Sequence, residues 1–192
     1  MDDAIPSAAT QRLIAYLANN GGYEYDTSML WVNVLNEAFP LNHADSWLYA
    51  PEFSHKTGRC DLVTSQSTAD ETWPKHFQAT GLPFIAVEFK SPSVKAGDSD
   101  WEKAYQQMTN TMNNIIDSGL YEAQTVYGVV AAGTKCALYF WDGSETNRGF
   151  VSIHPEAKMK NLEVPTERAY IMTQLEAMKI TSPASSQLFL EK

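Results

Sequence analysis

Cysteines are few in this 192-residue chain, and long hydrophobic runs are absent. The two cysteines, Cys60 and Cys136, lie far apart and match no ligand spacing of a zinc site. We interpret them as small buried side chains in a reducing compartment. No apolar run approaches the roughly 20 residues that a membrane-spanning helix needs, so we expect no membrane partner.

A secretory signal is also missing from the beginning of the sequence. The first six residues, Met1–Pro6, carry neither a basic head nor an apolar stretch. We therefore expect an intracellular protein, in the cytoplasm or the nucleus. Secretion without a visible signal stays open.

Positive charge is scarce. The chain has 14 Lys and Arg against 23 Asp and Glu, so its formal net charge is −9 and its pI is near 4.8. This balance argues against broad electrostatic attraction to nucleic acid or to an anionic membrane. A local basic groove stays compatible with it, although an evenly solvated surface is the simpler interpretation. Five basic residues flank the candidate site residues described below: Lys56, Arg59, Lys90, Lys95 and Lys103.

Sequence signatures of several enzyme classes do not occur. There is no G-x-S-x-G nucleophile elbow, no phosphate-binding glycine loop and no Cys/His pairing. The histidines show no regular metal-ligand spacing; they are His43, His55, His76 and His154. With 44% apolar and 11% aromatic residues and no internal repeat, the chain is typical of a folded globular protein. We predict a single domain over residues 1–192.

Periodicity and turn residues predict the secondary structure. Four helices are predicted: residues 7–20, a segment from the candidate caps Asp26, Thr27 and Ser28 to Pro40, residues 101–117, and residues 165–179. Short runs of branched and aromatic residues predict strands at 47–50, 59–64, 84–89, 125–132, 136–141 and 150–153. A strand, a helix and a strand in succession imply a crossover with parallel pairing, and hairpins add antiparallel strands. We predict an α/β (α+β) fold, with a central mixed sheet flanked by helices.

Two charged residues end an otherwise apolar strand at 84–90. Glu88 and Lys90 share one face of it, while Phe89 points to the other face. Asp61 lies inside another predicted strand, where aspartate is disfavoured. If these strands are neighbours, the two carboxylates converge at one edge of the sheet. Carboxylate oxygens suit Mg²⁺ or Mn²⁺, and the Phe89 carbonyl is available as a further ligand.

Lys90 completes a chemically plausible set. Beside such an ion, it could position or deprotonate a water that attacks phosphorus, or stabilise the negative charge that develops there. This arrangement predicts phosphodiester hydrolysis. Each residue also has a simpler interpretation: Glu88 and Lys90 as a solvated pair worth at most about 1 kcal/mol, and Asp61 as a hairpin residue bonded to its own backbone. Their occurrence together, in this order, favours the site.

At these residues the sequence resembles the PD-(D/E)xK nuclease superfamily, which has the type II restriction endonuclease-like fold. The resemblance rests on Asp61 within Gly58–Val63 and on Glu88-Phe89-Lys90 within Ala86–Pro92. Cys60 stands where the family name has proline. The family's core order of helix, three strands, helix and strand is similar to the order predicted here. The resemblance implies a nuclease-like core over about residues 26–142.

The resemblance also implies roles for individual residues. Asp61 and Glu88 would bind Mg²⁺ or Mn²⁺, and Lys90 would serve the attacking water. A glutamate on the first core helix often completes such a site, and Glu37 occupies the corresponding place in the sequence. Many members carry a glutamine on the helix after the motif, and either Gln106 or Gln107 matches.

Two functional hypotheses follow. The first is a Mg²⁺- or Mn²⁺-dependent nuclease acting on DNA or RNA. The alternative is a catalytically silent, nuclease-like binding or regulatory module, such as an effector or one half of a genetic conflict system. The intact Asp61, Glu88 and Lys90 favour the first, and the acidic net charge favours the second. A homodimer and a protein partner both stay open.

Overall fold

A mixed β-sheet with helices on both faces forms the centre of the fold. The computed structural model describes residues 6–40, 47–55, 58–66, 82–117, 126–142, 149–154 and 159–180. Within these ranges the helices are α1 (Ala8–Asn20), α2 (Glu24–Ala38), α3 (Ser99–Asp117) and α4 (Pro165–Ile180). The strands are β1 (Trp47–His55), β2 (Gly58–Gln66), β3 (Leu82–Lys90), β4 (Tyr127–Ala132), β5 (Lys135–Asp142), β6 (Gly149–Ser152) and β7 (Lys160–Asn161).

The sheet combines parallel and antiparallel pairing, as predicted. Its strand order is β1-β2-β3-β4-β5-β6, and β7 pairs with β5. The β3 and β4 strands run parallel, and the other described pairs are antiparallel. The α3 helix lies between β3 and β4 in the sequence and so belongs to their crossover connection. The predicted α/β class is confirmed, and the segment from α2 to β4 has the order αβββαβ.

Buried residues on the two sheet faces form two separate cores. On one face, Leu62, Val87 and Phe89 pack with side chains of α1, α2 and α4. On the other face, Val63 and Ala86 pack with side chains of α3. Because alternate residues of a strand point to opposite faces, β3 contributes to both cores. This alternation places Glu88 on the α3 side and Phe89 on the α2 side of the same strand.

The α2 helix is fixed to the sheet by two hydrogen bonds to one glycine. The indole Nε1 of Trp31 donates to the Gly133 carbonyl at 2.8 Å, and the Gly133 N–H donates to Thr27 Oγ1 at 2.9 Å. Gly133 lies in the turn between β4 and β5 with φ +60°, a left-handed conformation that favours glycine. These bonds hold α2 in place against the sheet.

The α1 helix begins and ends as predicted, but α2 begins earlier. Ser7 caps α1 and Gly21 follows its last residue. The predicted cap of α2 among residues 26–28 is wrong, because the helix starts at Glu24. Asp26 acts instead from the third helical position, where its carboxylate accepts a hydrogen bond from the Tyr23 N–H at 2.8 Å. The first turn of α2 therefore includes Glu24 and Tyr25.

The strand β1 is longer than predicted. It continues through Pro51, where the sequence indicated a break. Proline is tolerated there because β1 is the edge strand and its only partner in the described sheet is β2. The strand β2 also continues past its predicted end at residue 64, through Gln66.

Candidate active site

A hydrogen bond between Asp61 and Phe89 connects two neighbouring strands. The β2 and β3 strands pair with Leu62 opposite Val87, so the condition under which the two carboxylates converge is met. Next to that pair, an Asp61 carboxylate oxygen accepts a hydrogen bond of 2.7 Å from the Phe89 backbone N–H. A side-chain oxygen here accepts the hydrogen bond that a backbone carbonyl usually accepts between paired strands. This explains how aspartate is accommodated within a strand.

Glu88 is the most deeply buried carboxylate of the site. Its side chain is only 1% exposed, and the Lys90 ammonium lies 3.7 Å from its Oε2 atom. The Lys90 side chain is itself only 15% exposed. Among the described residues, Glu88 Oε1 has no hydrogen-bond partner although it is buried. An unsatisfied buried carboxylate oxygen is costly, so this atom is a strong candidate for binding a ligand.

The site contains more negative charge than its surroundings neutralise. Burial and, after it, the negative charge of Asp61 raise the pKa of Glu88 to about 8, because the opposing effect of Lys90 is smaller. The neighbouring Cys60 thiol donates to the Val87 carbonyl at 3.1 Å. Burial, together with the negative charge of Glu88, raises the pKa of the Cys60 thiol well above its usual value. Cys60 therefore stays a neutral thiol beside the carboxylates.

This donor set fits a hard divalent cation. Two carboxylates close enough to repel each other, one with an orphaned oxygen, offer ligands that Mg²⁺ and Mn²⁺ prefer. The described residues include no cluster of three or more His, Cys, Asp or Glu side chains suited to a metal. A bound ion would therefore depend on Asp61, Glu88 and water, which matches the habit of Mg²⁺ to keep several waters. The Phe89 carbonyl stays a predicted third protein ligand.

A cleft of about 340 Å³ opens beside Asp61 on the α2 side of the sheet. The sheet contributes Asp61, Leu62 and Phe89 to its wall, and α2 contributes Glu24, Tyr25 and Val32. The Glu88–Lys90 pair lies on the other face of β3. Asp61 is therefore the residue that connects the cleft with the buried charge pair.

Glu37 does not belong to this site. Its carboxylate accepts hydrogen bonds from the Ser7 backbone N–H, at 3.1 and 3.2 Å to its two oxygens, and from the Thr10 hydroxyl. It also lies about 140° around α2 from Glu24 and from Val32, which line the cleft. The expectation that Glu37 completes the metal site is thus corrected. Its carboxylate instead connects the C-terminal end of α2 to Ser7, the N-cap residue of α1.

Glu24 is the glutamate that α2 brings to the cleft. It shares the cleft wall with Asp61 and lies in the first turn of α2, where the helix dipole favours negative charge. The sequence pattern did not indicate Glu24 as a site residue, because the predicted caps placed the start of α2 after residue 26. The acidic first turn was the signal that could have found it.

The two glutamines of α3 are both exposed. Among the described residues, neither shares a side-chain hydrogen bond with Asp61, Glu88 or Lys90. Trp101, Ala104 and Met108 form the buried side of α3, and Gln107 lies closer to that side around the helix than Gln106 does. Gln107 is therefore the nearer of the two to the sheet.

Comparisons with known proteins add no relative. No protein family, no curated protein and no solved structure matches the chain. Within the described part of the chain, no helix combines the length and apolar character needed to cross a membrane. The geometry at Asp61 and Glu88 is therefore the main guide to function.

Proposed function

We propose that this protein is a Mg²⁺- or Mn²⁺-dependent nuclease that hydrolyses phosphodiester bonds of DNA or RNA. The observation that carries the proposal is the convergence of Asp61 and Glu88 near the end of β3, with a buried Glu88 oxygen that has no hydrogen-bond partner among the described residues. A solvated surface pair would show neither deep burial nor an orphaned oxygen. The αβββαβ order from α2 to β4 agrees with the fold that the resemblance to PD-(D/E)xK nucleases implies.

Asp61 and Glu88 are the residues that would hold the metal. Asp61 is oriented by the Phe89 N–H, which donates to its Oδ2 atom. Glu88 is oriented by its burial and by Lys90, and its free Oε1 is available. A divalent cation bound here would polarise a phosphoryl oxygen and lower the pKa of a coordinated water.

Lys90 would act directly on the reacting phosphate or water. Its ammonium group is held near Glu88 and is largely shielded from solvent, which strengthens its interaction with a developing negative charge. Through its three N–H donors it can also orient a water for in-line attack. Glu24, across the cleft wall from the sheet, would bind water in the outer shell of the site.

A cleavage assay tests the proposal. Wild type should cleave at least one of single- and double-stranded DNA and RNA with Mg²⁺ or Mn²⁺, and Asp61→Asn and Lys90→Met should each lose at least about 100-fold in rate. Asparagine still accepts the Phe89 hydrogen bond, so Asp61→Asn removes charge while the fold is kept. Lys135→Met, at an exposed lysine in the first position of β5, is the matched control. Absence of cleavage by wild type on every substrate would favour the silent binding module instead.

A further inference from the structure

An exposed apolar stripe runs along α2 beside the cleft. Tyr25 is 70% exposed, Met29 is 37% exposed and Val32 is 39% exposed. Their spacing of four and three residues places them on one side of the helix. Tyr25 and Val32 also line the cleft that contains Asp61. The stripe therefore extends the wall of the candidate active site.

The cleft has the size and walls for one nucleobase with its sugar. Its volume of about 340 Å³ is at the lower end of the range of about 300–1,000 Å³ typical of small-molecule sites. Leu62 and Phe89 form an apolar floor from the sheet side, and the Tyr25 ring lies at the rim. An aromatic ring beside an apolar floor suits a flat base, which has a π-face whatever its sequence.

The negative charge of the cleft favours a neutral base over a phosphate group as the part of a nucleic acid that binds there. Its described lining contains Glu24 and Asp61 but no lysine or arginine. Phosphate groups would gain nothing from this wall, whereas a neutral base would bind to it by stacking.

The position of Asp61 links the cleft to the reaction. Asp61 lines the cleft and is electrostatically coupled to Glu88, so a phosphate bound beside Asp61 would bring an adjoining base of the same strand next to the cleft. A base in a duplex is covered by its partner and its stacked neighbours, so only an unpaired base can enter. The backbone of α2 holds Tyr25 in place, because the Ser28 hydroxyl donates to the Tyr25 carbonyl at 2.8 Å.

We propose that this cleft binds one unpaired nucleotide, with its base stacked on Tyr25, so that the substrate of the enzyme is single-stranded nucleic acid. The assignment rests on the proposed nuclease function and names its substrate class. Tyr25 would contact substrate without taking part in proton transfer. Tyr25 therefore determines the affinity for substrate and the preference for single strands more than it determines kcat.

Binding and kinetics of one oligonucleotide in two forms test this proposal. The two forms are a short fluorescently labelled single strand and its blunt duplex. Each is titrated with protein in the presence of Mg²⁺, and fluorescence anisotropy measures binding. All proteins in this assay carry Lys90→Met, so that the oligonucleotide is not cleaved. Tyr25→Ala should weaken binding of the single strand by roughly 5- to 100-fold, and Tyr25→Phe should retain it. Tyr16→Ala, at a tyrosine of α1 that is 51% exposed, is the matched control and should bind normally. In cleavage, Tyr25→Ala should raise KM by a similar factor with a smaller change in kcat.

The outcomes separate this inference from the nuclease proposal. Single-strand binding that depends on Tyr25, without cleavage by wild type, overturns the nuclease function and keeps the nucleotide cleft. Cleavage that is unchanged in Tyr25→Ala, or equal affinity for the duplex, overturns the cleft and keeps the nuclease. Failure to bind either oligonucleotide overturns the cleft as well. If Tyr25→Ala instead reduces self-association in light scattering, the stripe is a protein interface and the nucleotide assignment is wrong.

Discussion

The Phe89 backbone N–H donates a hydrogen bond of 2.7 Å to the Asp61 carboxylate, and so connects the first half of β2 to the end of β3. The bond fixes the Asp61 carboxylate to the residue that follows Glu88, the other carboxylate of the candidate metal site. Glu88 and Lys90 flank Phe89 in β3 and point to the opposite face of the strand. Strand geometry at Phe89 therefore controls how all three side chains meet.

The first prediction separates the structural from the functional role of Asp61. Asp61→Ala leaves the Phe89 N–H without its acceptor, and we expect a loss of about 1–3 kcal/mol in the free energy of unfolding. Asp61→Asn retains an acceptor and should lose less than half as much, while losing metal binding equally. Urea denaturation gives the stabilities. Equal destabilisation by the two substitutions would show that the hydrogen bond does not matter.

The second prediction concerns the pH dependence of stability without metal. Glu88 has an ordinary pKa of 4.5 when the chain is unfolded and about 8 when it is folded. Between these values the unfolded chain loses this proton and the folded chain keeps it, so the stabilisation present below pH 4.5 is lost as the pH rises towards 8. The loss should be on the order of 2–4 kcal/mol.

Glu88→Gln removes this titration and isolates its effect. The variant should become more stable relative to wild type as the pH rises from 5 to 8, because its amide stays neutral. Glu102→Gln, at an exposed carboxylate of α3, controls for the loss of one negative charge. Thermal unfolding of the three proteins across this range measures the difference. A constant gap between wild type and Glu88→Gln would contradict the raised pKa.

The third prediction concerns metal binding. Mn²⁺ should bind wild type in calorimetry and raise its melting temperature, because only the folded protein holds Asp61 and Glu88 together as ligands, and the cation replaces the Glu88 proton. Asp61→Asn and Glu88→Gln should each weaken binding by at least about 10-fold. Glu37→Gln should bind Mn²⁺ like wild type. If only Glu37→Gln weakened Mn²⁺ binding, the metal would bind at Glu37 and not at Asp61 and Glu88.

The fourth prediction tests the reassigned role of Glu37. Glu37→Ala removes the acceptor of the Ser7 N–H and the Thr10 hydroxyl, and should lower stability by about 1–3 kcal/mol. The specific activity of the folded variant should stay within about twofold of wild type, which is less than 0.5 kcal/mol in barrier. Asn36→Ala, at the preceding exposed position of α2, is the matched control for stability. A large loss of activity with normal stability would show that Glu37 takes part in catalysis after all.

The fifth prediction concerns Gly133. A Cβ atom there would lie 2.8 Å from Pro92 Cβ and 3.1 Å from Pro92 Cα, and the residue has φ +60°. Gly133→Ala should therefore destabilise the protein by about 1–3 kcal/mol through strain and a clash near the end of β3. Gly97→Ala, also at positive φ but with open space around it, should cost less. Chemical denaturation of both variants makes the comparison.

Much of the fold could be predicted because its signals are local. The apolar stripe of the helix at Ser99–Asp117, the Gly21 stop and the apolar run before Glu88 each determine an element within a few residues. The start of α2 could not be predicted in this way. Asp26 reads as a helix cap in the sequence, but its carboxylate bonds back to the Tyr23 N–H from inside the helix.

The sequence by itself determined which chemical groups this protein offers: an aspartate in one strand, and a glutamate and a lysine at the end of the next. Residue types, strand alternation and helical periodicity depend only on local sequence, so they can be inferred without knowledge of the fold. The tertiary structure alone decided that Glu24 rather than Glu37 reaches the cleft, that Glu88 is buried beside Asp61, and that Tyr25 lines the same wall. These facts depend on where α2 packs against the sheet, and long-range contacts such as the Trp31–Gly133 bond set that packing across 102 positions of sequence.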